Sequence, residues 1–461
     1  MTPLAQRIQA SLPMQASRWW LAVSGGLDSM CLLHLVKQMQ QDPAISVPEI
    51  KVVHIHHGLQ AEADAWLQLV AEQSQTYGFS SHCVKVQIDP QLQQQQGLEA
   101  AARAARYQVF EKLLEPGDTL LLAQHANDQA ETLLLRLLRG AGVAGLGVMR
   151  EQRSLGLGYL QRPLLSVSRD SLLAYAQEQQ LQWLDDPSND NEQFERNYLR
   201  RQVMPLLQQR WPSLLQRVKT TSQIMQATQT LLEQVAQEDY QLLNADEPHT
   251  EARLPVARLL DLTPERRYNL LRWWLQQLGE LSPDYGTMLQ IDKQVLTAAK
   301  DRQPCLRLAA GELRRAYGDL YWSGGGVTSN ATGHSGSVSG TDEQSMIWPP
   351  ATAQPAQVNL AGGVLRPVAG GLLLQPGDEL RVTVRQGSER CRPEGRAHSQ
   401  SLKKLLQEYK VPPWQRATLP LFWLNGELAM VADLWICQGF AAPTQGMGWG
   451  WSGETPERSP N

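Results

Sequence analysis

The chain has 461 residues, of which 42% are hydrophobic and 19% charged, and its formal net charge at pH 7 is −4. This composition is that of a globular protein and excludes a disordered or fibrous chain, and the length predicts roughly two to four domains. Five scattered cysteines without a Cys-x-x-Cys pair argue against a disulfide framework or a zinc ribbon and are typical of a reducing cytoplasm, and no apolar run is long enough to span a membrane.

The first two hundred residues alternate short apolar runs with longer helical patterns. Strands are predicted at 21–23, 52–55, 84–86 and 119–123, and helices at 30–40, 64–77 and 98–114. Ser168 is a predicted N-cap for a further helix that ends at Gln180. Alternation of this kind predicts an α/β fold, a doubly wound parallel sheet with helices on both faces.

The pattern changes after about residue 215. Residues 213–243 and 265–278 have helical spacing and predict an all-helical middle domain that ends near 313–322. The stretch 323–341 is almost entirely Gly, Ser, Thr and Asn, which predicts a flexible linker. A strand at 379–384 and a helix at 401–409 predict a small α+β domain. The predicted domains are therefore 1–215, 216–322 and 351–445, with a linker at 323–350 and a tail at 446–461.

Basic residues are concentrated in two stretches. Residues 196–219 contain six basic and no acidic side chains, and residues 381–416 contain nine basic and three acidic ones. On a slightly acidic chain, such clusters indicate a localised surface for a polyanion. Solvated helix surfaces are the alternative explanation, and charge alone does not decide between the two.

Two glycines and an aspartate stand where the first predicted strand meets its helix. Such a turn lies at the carboxyl end of a parallel strand, where doubly wound folds bind ligands. Glycines let the backbone approach an anion, and the N–H groups of the helix start can bind it. The chain has no Walker lysine, so an acidic residue here is best explained by Mg²⁺ accompanying the phosphates. The predicted nucleotide loop comprises Ser24, Gly25, Gly26, Leu27, Asp28 and Ser29; a turn with a capping aspartate is the alternative.

Ser-Gly-Gly-x-Asp-Ser after a first strand resembles the signature of the PP-loop ATP pyrophosphatases, which cleave ATP between the α- and β-phosphates. Further stretches, in this order, resemble the tRNA(Ile)-lysidine synthetases: HIHHGL (54–59), QHANDQAET (124–132), LRGAGVAGL (138–146), DPSN (186–189), RNYLR (196–200) and SLKKLLQEYKVPPWQR (401–416). The resemblance covers nearly the whole chain and is weakest at 323–350.

The resemblance implies an ATP-dependent ligase that joins lysine to C2 of the wobble cytidine, position 34, of the isoleucine tRNA with a CAU anticodon. An adenylated cytidine is the implied intermediate, and lysidine is the product, which changes the codon and amino-acid specificity from methionine to isoleucine. The implied partners are ATP, L-lysine, Mg²⁺ and tRNA(Ile), with the middle and C-terminal domains binding the tRNA. A cytoplasmic protein that binds no membrane is implied, and a homodimer is left open.

The resemblance also assigns site residues. It implies catalytic roles for Asp28, Asp128 and Arg196, with the two aspartates as metal ligands, and it adds His57 to the nucleotide loop. It implies contacts with substrates for His125, Asp128, Glu131, Arg200, Lys403 and Lys404. The chain departs from the family pattern at three positions, where it has Gln60, Gln124 and Asn127.

Three of these features allow other interpretations: the histidines at 54–57, the glycines at 140–145 and the nucleotide loop. A metal cluster at 54–57 is disfavoured because alternate residues of one strand point to opposite faces. Residues 140–145 spell G-x-G-x-x-G but follow a helix, so a mobile glycine-rich loop is expected in place of a dinucleotide site. A PP-loop tRNA thiolase would need clustered cysteines, and a non-catalytic RNA-binding protein would not need an intact nucleotide loop.

Overall fold

The computed structural model describes residues 2–56, 63–185, 192–244, 252–299, 304–324, 344–348, 357–360, 363–443 and 446–453. The chain forms two compact units, a first unit of Met1–Thr230 and a second unit of Leu231–Glu457. None of the helices in these ranges is long and apolar enough to cross a membrane.

The first unit is organised around a six-stranded sheet in the order β3-β2-β1-β4-β6-β5. Five strands are parallel and the edge strand β5 runs antiparallel to β6. The strands are β1 (Arg18–Ala22), β2 (Glu49–His56), β3 (Ser80–Lys85), β4 (Asp118–Leu121), β5 (Gln152–Leu155) and β6 (Gly158–Gln161). The order reverses between β1 and β4, which is the place where open α/β sheets bind ligands.

The helices of the first unit connect and cover these strands. They are α1 (Pro3–Gln9), α2 (Leu27–Gln41), α3 (Ala63–Tyr77), α4 (Pro90–Gln96), α5 (Leu98–Leu113), α6 (Ala126–Leu138), α7 (Val143–Leu146), α8 (Arg169–Glu178), α9 (Glu195–Tyr198) and α10 (Met204–Arg210). A π-helical turn, Leu199–Val203, joins α9 to α10, and α11 (Leu214–Leu243) crosses into the second unit. The predicted N-cap is confirmed, because the Ser168 side chain accepts a hydrogen bond from the Ser171 N–H.

Both faces of the sheet are buried, which confirms the doubly wound prediction. Trp19 and Leu21 of β1 pack into a core with α1, α2 and α8 on one face. Trp20 of the same strand packs on the other face with Phe110 of α5. A strand that buries successive residues on opposite faces is typical of parallel sheets covered by helices on both sides.

The middle stretch contains the expected helices and also a sheet that the sequence did not predict. The helices are α12 (Val256–Asp261), α13 (Pro264–Gln277) and α14 (Tyr285–Gln290), which continues into a π-helical turn at Ile291–Leu296. An antiparallel sheet in the order β7-β10-β9-β8 is formed by β7 (Arg253–Pro255), β8 (Cys305–Arg307), β9 (Gly311–Ala316) and β10 (Asp319–Gly324). The expectation of an all-helical region is therefore wrong.

The hairpin β9–β10 explains this difference. Tyr317 and Gly318 have φ values of 51° and 92°, the left-handed conformations that a tight two-residue hairpin turn needs. Leu313, Leu320 and Trp322 are buried on the inner face of the hairpin. Leu320 and Trp322 lie on one face of β10, and Tyr321 between them is buried on the opposite face, as the two-residue period of a strand requires.

The C-terminal part is α+β, as predicted. A five-stranded sheet has the order β11-β14-β17-β18-β19 and a three-stranded sheet the order β12-β13-β20. The strands are β11 (Gln344–Ile347), β12 (Val358–Leu360), β13 (Gly363–Ala369), β14 (Glu379–Val384), β15 (Arg390–Cys391), β16 (Gln400–Ser401), β17 (Pro420–Leu424), β18 (Glu427–Val431), β19 (Trp435–Ile436) and β20 (Met447–Gly453), and the helix is α15 (Leu402–Glu408).

Two of these strands lie in stretches that are predicted as a linker and a tail. Strand β11 lies within 323–350, and β20 begins the stretch 446–461 and pairs with β13 along its length. Gly448 and Gly450 in β20 leave space for Gly371 and Val368, since a Cβ at either glycine would approach them within 3 Å. Most of the predicted linker, residues 325–343, lies outside the described residues.

Candidate active site

A cavity of about 640 Å³ opens at the carboxyl ends of β1, β2 and β4. It lies at the reversal of strand order, the position that the doubly wound topology predicts for a ligand. Its walls include residues from the predicted nucleotide loop, from α5 and α6, and from α9 and the π-helical turn. They comprise Ser24, Gly26, Leu27, Asp28, Ser29, His54, His56, Trp66, Glu99, Arg103, Arg106, Tyr107, Gln124, Asp128, Arg169, Asp185, Arg196 and Arg200, among others.

The loop that follows β1 is held open by its own side chains. Gly25 has φ 92°, a conformation that a side chain would strain, and its carbonyl accepts a hydrogen bond of 3.1 Å from the Leu184 N–H. The Ser24 N–H donates to Ser29 Oγ at 3.2 Å, and Ser29 Oγ donates to the Gly26 carbonyl at 2.9 Å. Gly26 is the N-cap of the fifteen-residue helix α2. The N-terminus of this helix therefore faces the cavity with N–H groups available to an anion.

The loop that follows β4 forms a capping box at the start of α6. The His125 N–H donates to Asp128 Oδ2 at 3.0 Å, and the Asp128 N–H donates to His125 Nδ1 at 3.4 Å. Because Nδ1 accepts, the neutral ring carries its proton on Nε2, which lies 3.4 Å from Asp28 Oδ2. His125 is buried and so connects the two loops from behind the cavity.

Two arginines cross from α9 and the π-helical turn onto the carboxylates of α6. Arg196 donates from Nε to Glu131 and from its terminal nitrogen to Asp128, both at 2.9 Å. Arg200 donates to Glu131 at 2.7 Å and to Asp128 at 3.2 Å. The carboxylates are three residues apart and the arginines four, so each pair shares one side of its helical segment. Glu131 is only 1% exposed, and this network compensates its charge.

The network sets the ionisation of its members. Burial alone would raise the pKa of Asp128, but His125, Arg196, the His125 N–H and Arg200 outweigh burial and lower it. Burial alone would lower the pKa of His125, but its hydrogen bond to Asp28 and the charge of Asp128 raise it. Asp128 is therefore held as a carboxylate and Arg200, whose pKa is raised by Glu131 against the effect of burial, as a cation.

Asp28 has a carboxylate oxygen that is suited to Mg²⁺. Asp28 Oδ1 is shielded from solvent and accepts no hydrogen bond from the described residues. Within those same residues, no group of three or more His, Cys, Asp or Glu side chains could hold a metal ion. Mg²⁺ is usually held by one or two carboxylates together with water and substrate phosphates, so one aspartate oxygen without a partner fits this ion.

The two histidines at the end of β2 do not converge on one point. His54 Nδ1 is 2.9 Å from the Val23 carbonyl, whereas His56 Nε2 is 3.2 Å from Asp64 Oδ1. His57, predicted to contact the nucleotide, lies outside the described residues, as do 186–191. In the glycine-rich loop, Gly142 is the N-cap of α7 and the Gly145 carbonyl accepts a bond of 2.7 Å from Arg136.

Most of the predicted site residues meet in the first unit. The loop 24–29, Asp128, Arg196 and Arg200 reach the cavity, with His125 and Glu131 supporting them. Lys403 and Lys404 lie in the second unit, exposed in α15.

Sequence analysis missed the cavity wall that α5 provides. Glu99, Arg103, Arg106 and Tyr107 all face the cavity. Their spacing of three to four residues in an otherwise alanine-rich helix was the available signal, because it places them on one side of the helix. Asp128 and Arg196 belong to sequence motifs that resemble a known family, whereas the four residues of α5 belong to no such motif.

Arginines outnumber acidic residues in and around the α5 wall. The Arg103 guanidinium lies 4.8 Å from the centre of the Tyr107 ring and donates to its hydroxyl at 3.3 Å. Burial would raise the pKa of Tyr107, but the charges of Arg103, Arg162 and Arg153 lower it. Arg162 also donates to the side chain of Gln124, the residue before His125. Such a concentration of cations attracts anions into the cavity.

Three family profiles match successive parts of the chain. The PP-loop domain matches residues 1–207, the TilS substrate binding domain 254–321, and the TilS substrate C-terminal domain 380–452. Among solved structures, the U34-tRNA thiolase NcsA from Methanococcus maripaludis has 12% identity and a TM-score of 0.42, over 48% of this chain and 78% of that one. That similarity is too low to distinguish activities.

Curated relatives match over nearly the full length. The tRNA(Ile)-lysidine synthase of Coxiella burnetii is 37% identical over 443 residues, which is 95% of this chain and 93% of the relative. The enzyme of the same name from Pseudomonas syringae pv. tomato is 40% identical over 434 residues, covering 93% of this chain and 92% of the relative. The identity extends across both units, and the chain therefore belongs to the tRNA(Ile)-lysidine synthase family.

Proposed function

We propose that this enzyme uses ATP to ligate lysine to C2 of the wobble cytidine in the isoleucine tRNA with a CAU anticodon. The products are lysidine-containing tRNA, AMP and diphosphate. One observation carries the proposal: the nucleotide loop and the Asp128–Glu131–Arg196–Arg200 network share one cavity. In a member of this family, that cavity combines a phosphate site with ionised groups of both signs.

The first step transfers AMP to the base. The cytidine O2 attacks the α-phosphorus, an O–P bond forms, the bond between the α-phosphorus and the bridging oxygen breaks, and diphosphate leaves with its charge. The N–H groups at the start of α2 and the cations Arg103 and Arg106 lie where they can stabilise that charge. Arg196, which lines the same cavity, is the cation that we assign to the α-phosphate.

Asp28 is the residue that we assign to Mg²⁺, because its Oδ1 has no partner among the described residues. The ion would neutralise phosphate charge. Asp128 was expected as a second metal ligand, and its Oδ1 accepts hydrogen bonds from both arginines. We therefore assign Asp128 first to positioning Arg196 and the incoming amino acid, and to the metal only as a secondary ligand.

The second step joins lysine to the activated base. The lysine ε-amine attacks C2, a C–N bond forms, the C2–O bond breaks, and AMP leaves. Asp128 is held ionised and can attract an ammonium group of the incoming lysine. Arg200 can attract the lysine carboxylate. His125 and Glu131 keep these two groups in place. Free lysine has a pKa near 10.4, so its ε-amine must lose a proton before it attacks.

The second unit is assigned to tRNA binding. Lys403 and Lys404 are exposed in the basic stretch 381–416, where they can contact phosphates without reading the base sequence. We further propose that the enzyme acts in the cytoplasm, where its three substrates occur together. A homodimer stays a prediction.

The test combines purified protein, ATP, radiolabelled lysine and a tRNA(Ile) transcript with cytidine at position 34. We expect label in the tRNA and one AMP and one diphosphate per lysine incorporated. A transcript with uridine at position 34 is the matched control and should remain unlabelled. Incorporation of sulfur from a labelled donor, with no lysine in the tRNA, would identify a thiolase instead.

A further inference from the structure

Three large aromatic side chains are exposed close together in the chain near the active site. Phe194, Tyr198 and Trp211 are 45%, 51% and 45% exposed. The segments α9, the π-helical turn and α10 form one continuous helical stretch. Phe194 precedes this stretch, Tyr198 belongs to it and Trp211 follows it. Exposed aromatic residues that cluster on a folded protein commonly mark a binding surface.

The same helical stretch supplies the two arginines of the active site. Arg196 and Arg200 point to Glu131 and Asp128, and Asn197 and Leu199 are buried. Tyr198 lies between the arginines in sequence but on the exposed side. The π-helical turn begins at the next residue, and such turns are frequent at functional sites. Phe194 and Tyr198 are therefore within one helical turn of Arg196 and Arg200, which line the cavity, whereas Trp211 lies at the far end of α10.

The charge around these rings favours a nucleic acid over a protein partner. Glu192 and Glu195 flank Phe194, and Glu195 pairs with Arg139. Beyond them, residues 196–219 contain six basic and no acidic side chains, and the Arg210 guanidinium lies 5.9 Å from the centre of the Trp211 ring. A second copy of the chain would bring these like charges together, which is unfavourable, whereas a polyanion neutralises them. Cations interspersed with exposed rings are the arrangement that binds single-stranded RNA, with phosphates on the cations and bases stacked on the rings.

We propose that Phe194 and Tyr198 form a stacking platform for unpaired RNA nucleotides next to the base that enters the cavity, with Trp211 as a further exposed ring at the other end of the helical stretch. The proposal rests on the proposed function for the identity of the RNA, a tRNA anticodon loop. Its physical content is that a base removed from the loop stack leaves its neighbours without stacking partners. The exposed rings replace those partners, which lowers the free energy needed to hold the target base in the cavity.

The test measures binding of an anticodon stem–loop hairpin to the full chain by fluorescence anisotropy. A Phe194→Ala/Tyr198→Ala variant should bind the hairpin about tenfold or more weakly, given the usual effect of removing a stacked ring. Tyr198→Phe in the wild-type background should bind like wild type, because it keeps the ring and removes only the hydroxyl. Tyr159→Ala is the matched control, since Tyr159 is 47% exposed in β6 of the same unit.

Outcomes that contradict the platform are separable from failure of the proposed function. Unchanged hairpin affinity in the double variant, or a loss in Tyr198→Phe as large as in the double variant, would overturn it. A change in subunit stoichiometry on sedimentation, with hairpin affinity per chain unchanged, would assign the surface to a second copy of the chain. Lysine incorporation is measured separately, so an enzyme that fails to incorporate lysine can still support or refute the stacking platform.

Discussion

The two units bury charged side chains for different purposes. In the first unit, Asp128 and the buried Glu131 face two arginines at the wall of a cavity. In the second unit, the buried Glu280 accepts the Ala310 N–H at 2.7 Å, and the buried Glu389 accepts the Gly387 N–H at 2.9 Å. These two carboxylates satisfy backbone groups of loops, which is a structural use. A third buried carboxylate of the second unit, Asp239, pairs with Arg266 and, unlike Asp128, does not line the active-site cavity.

This difference separates carboxylates that can take part in a reaction from carboxylates that hold loops in place. A buried carboxylate that satisfies a loop N–H is not accessible to a substrate, whereas a group at a cavity wall can exchange its partner for a ligand. Substitutions in the first unit should therefore change catalytic steps. Substitutions in the second unit should change stability or RNA affinity and leave the ATP chemistry intact.

The largest expected effect comes from Asp28. Asp28→Ala removes the carboxylate whose Oδ1 has no partner among the described residues, and with it the group that we assign to Mg²⁺. We expect the rate of diphosphate release to fall about a thousandfold, as when a transition-state contact is lost. The dissociation constant of tRNA should not change, because Asp28 lies at the nucleotide loop and not on a basic surface.

Asp64→Asn is the matched control, because Asp64 is largely exposed and, among the described residues, pairs with His56 of the same unit. Diphosphate release measured by a coupled assay should be close to wild type in this variant. Normal turnover in Asp28→Ala would remove the loop 24–29 from the catalytic site and abolish the contrast between the two units.

Charge reversal in the second unit should have the next largest effect. Lys403→Glu/Lys404→Glu replaces two exposed cations of α15. We expect the dissociation constant of tRNA to rise about tenfold to a hundredfold, and the slope of its logarithm against the logarithm of salt concentration to decrease by about two. ATP affinity, measured by calorimetry, should not change. Equal losses of ATP and tRNA binding would mean that the two lysines support the fold and not RNA binding.

The first unit could be predicted well from the sequence because its elements have strong periodicity. Strand β1 was expected at 21–23 and is Arg18–Ala22, and α5 was expected at 98–114 and is Leu98–Leu113. The middle sheet was missed because β7 and β8 have three residues each, too few to show a period. The turn at Tyr317 also has no glycine or asparagine at its first left-handed position, which removes the usual hairpin signal.

The site was predictable where its residues are contiguous in sequence. Loop 24–29 and His125–Glu131 follow neighbouring strands, so the topology brings them together. The wall of α5 depends on how that helix packs over the sheet, which no local pattern encodes. Pairing of Asp128 with Arg196 and Arg200 also required tertiary structure, because the two segments are more than sixty residues apart.

Within the second unit, Trp414 offers a test of positioning. Its ring lies 5.5 Å from the Tyr321 ring and 5.3 Å from the Arg314 guanidinium, and both of these residues belong to the hairpin β9–β10. Trp414→Ala should lower the free energy of unfolding by about 2 kcal/mol, through lost aromatic and cation–π contacts. Because this contact joins the middle sheet to the C-terminal part, tRNA affinity should fall as well, while diphosphate release at saturating tRNA should not change.

Trp423→Ala is the control for the loss of a ring. Trp423 also contacts a guanidinium, that of Arg381 at 5.4 Å, but it belongs to the C-terminal sheet together with that arginine. Urea unfolding should show a comparable loss of stability, and filter binding should show tRNA affinity near wild type. Equal losses of tRNA affinity in the two variants would mean that stability, and not the contact between the sheets, controls tRNA binding.

The smallest expected effect tests a half-buried group of the first unit that lies away from the cavity wall. His34 Nδ1 is 2.7 Å from the Tyr175 hydroxyl between α2 and α8, and burial lowers the pKa of His34. The unfolded chain, with a histidine pKa near 6.5, therefore binds more protons than the folded chain below that pH. The contribution of the neutral His34 side chain to stability is complete above pH 6.5 and is lost as pH falls through the folded pKa.

The measurement is urea unfolding between pH 7.5 and 5. The free energy of unfolding should decrease less in His34→Gln than in wild type, and the difference should be less than about 1 kcal/mol. His82→Gln, at an exposed position of β3, should keep the wild-type slope. A steeper decrease in His34→Gln would mean that the protonated imidazole is stabilised in the fold, which would require a carboxylate near it and contradict burial as the cause.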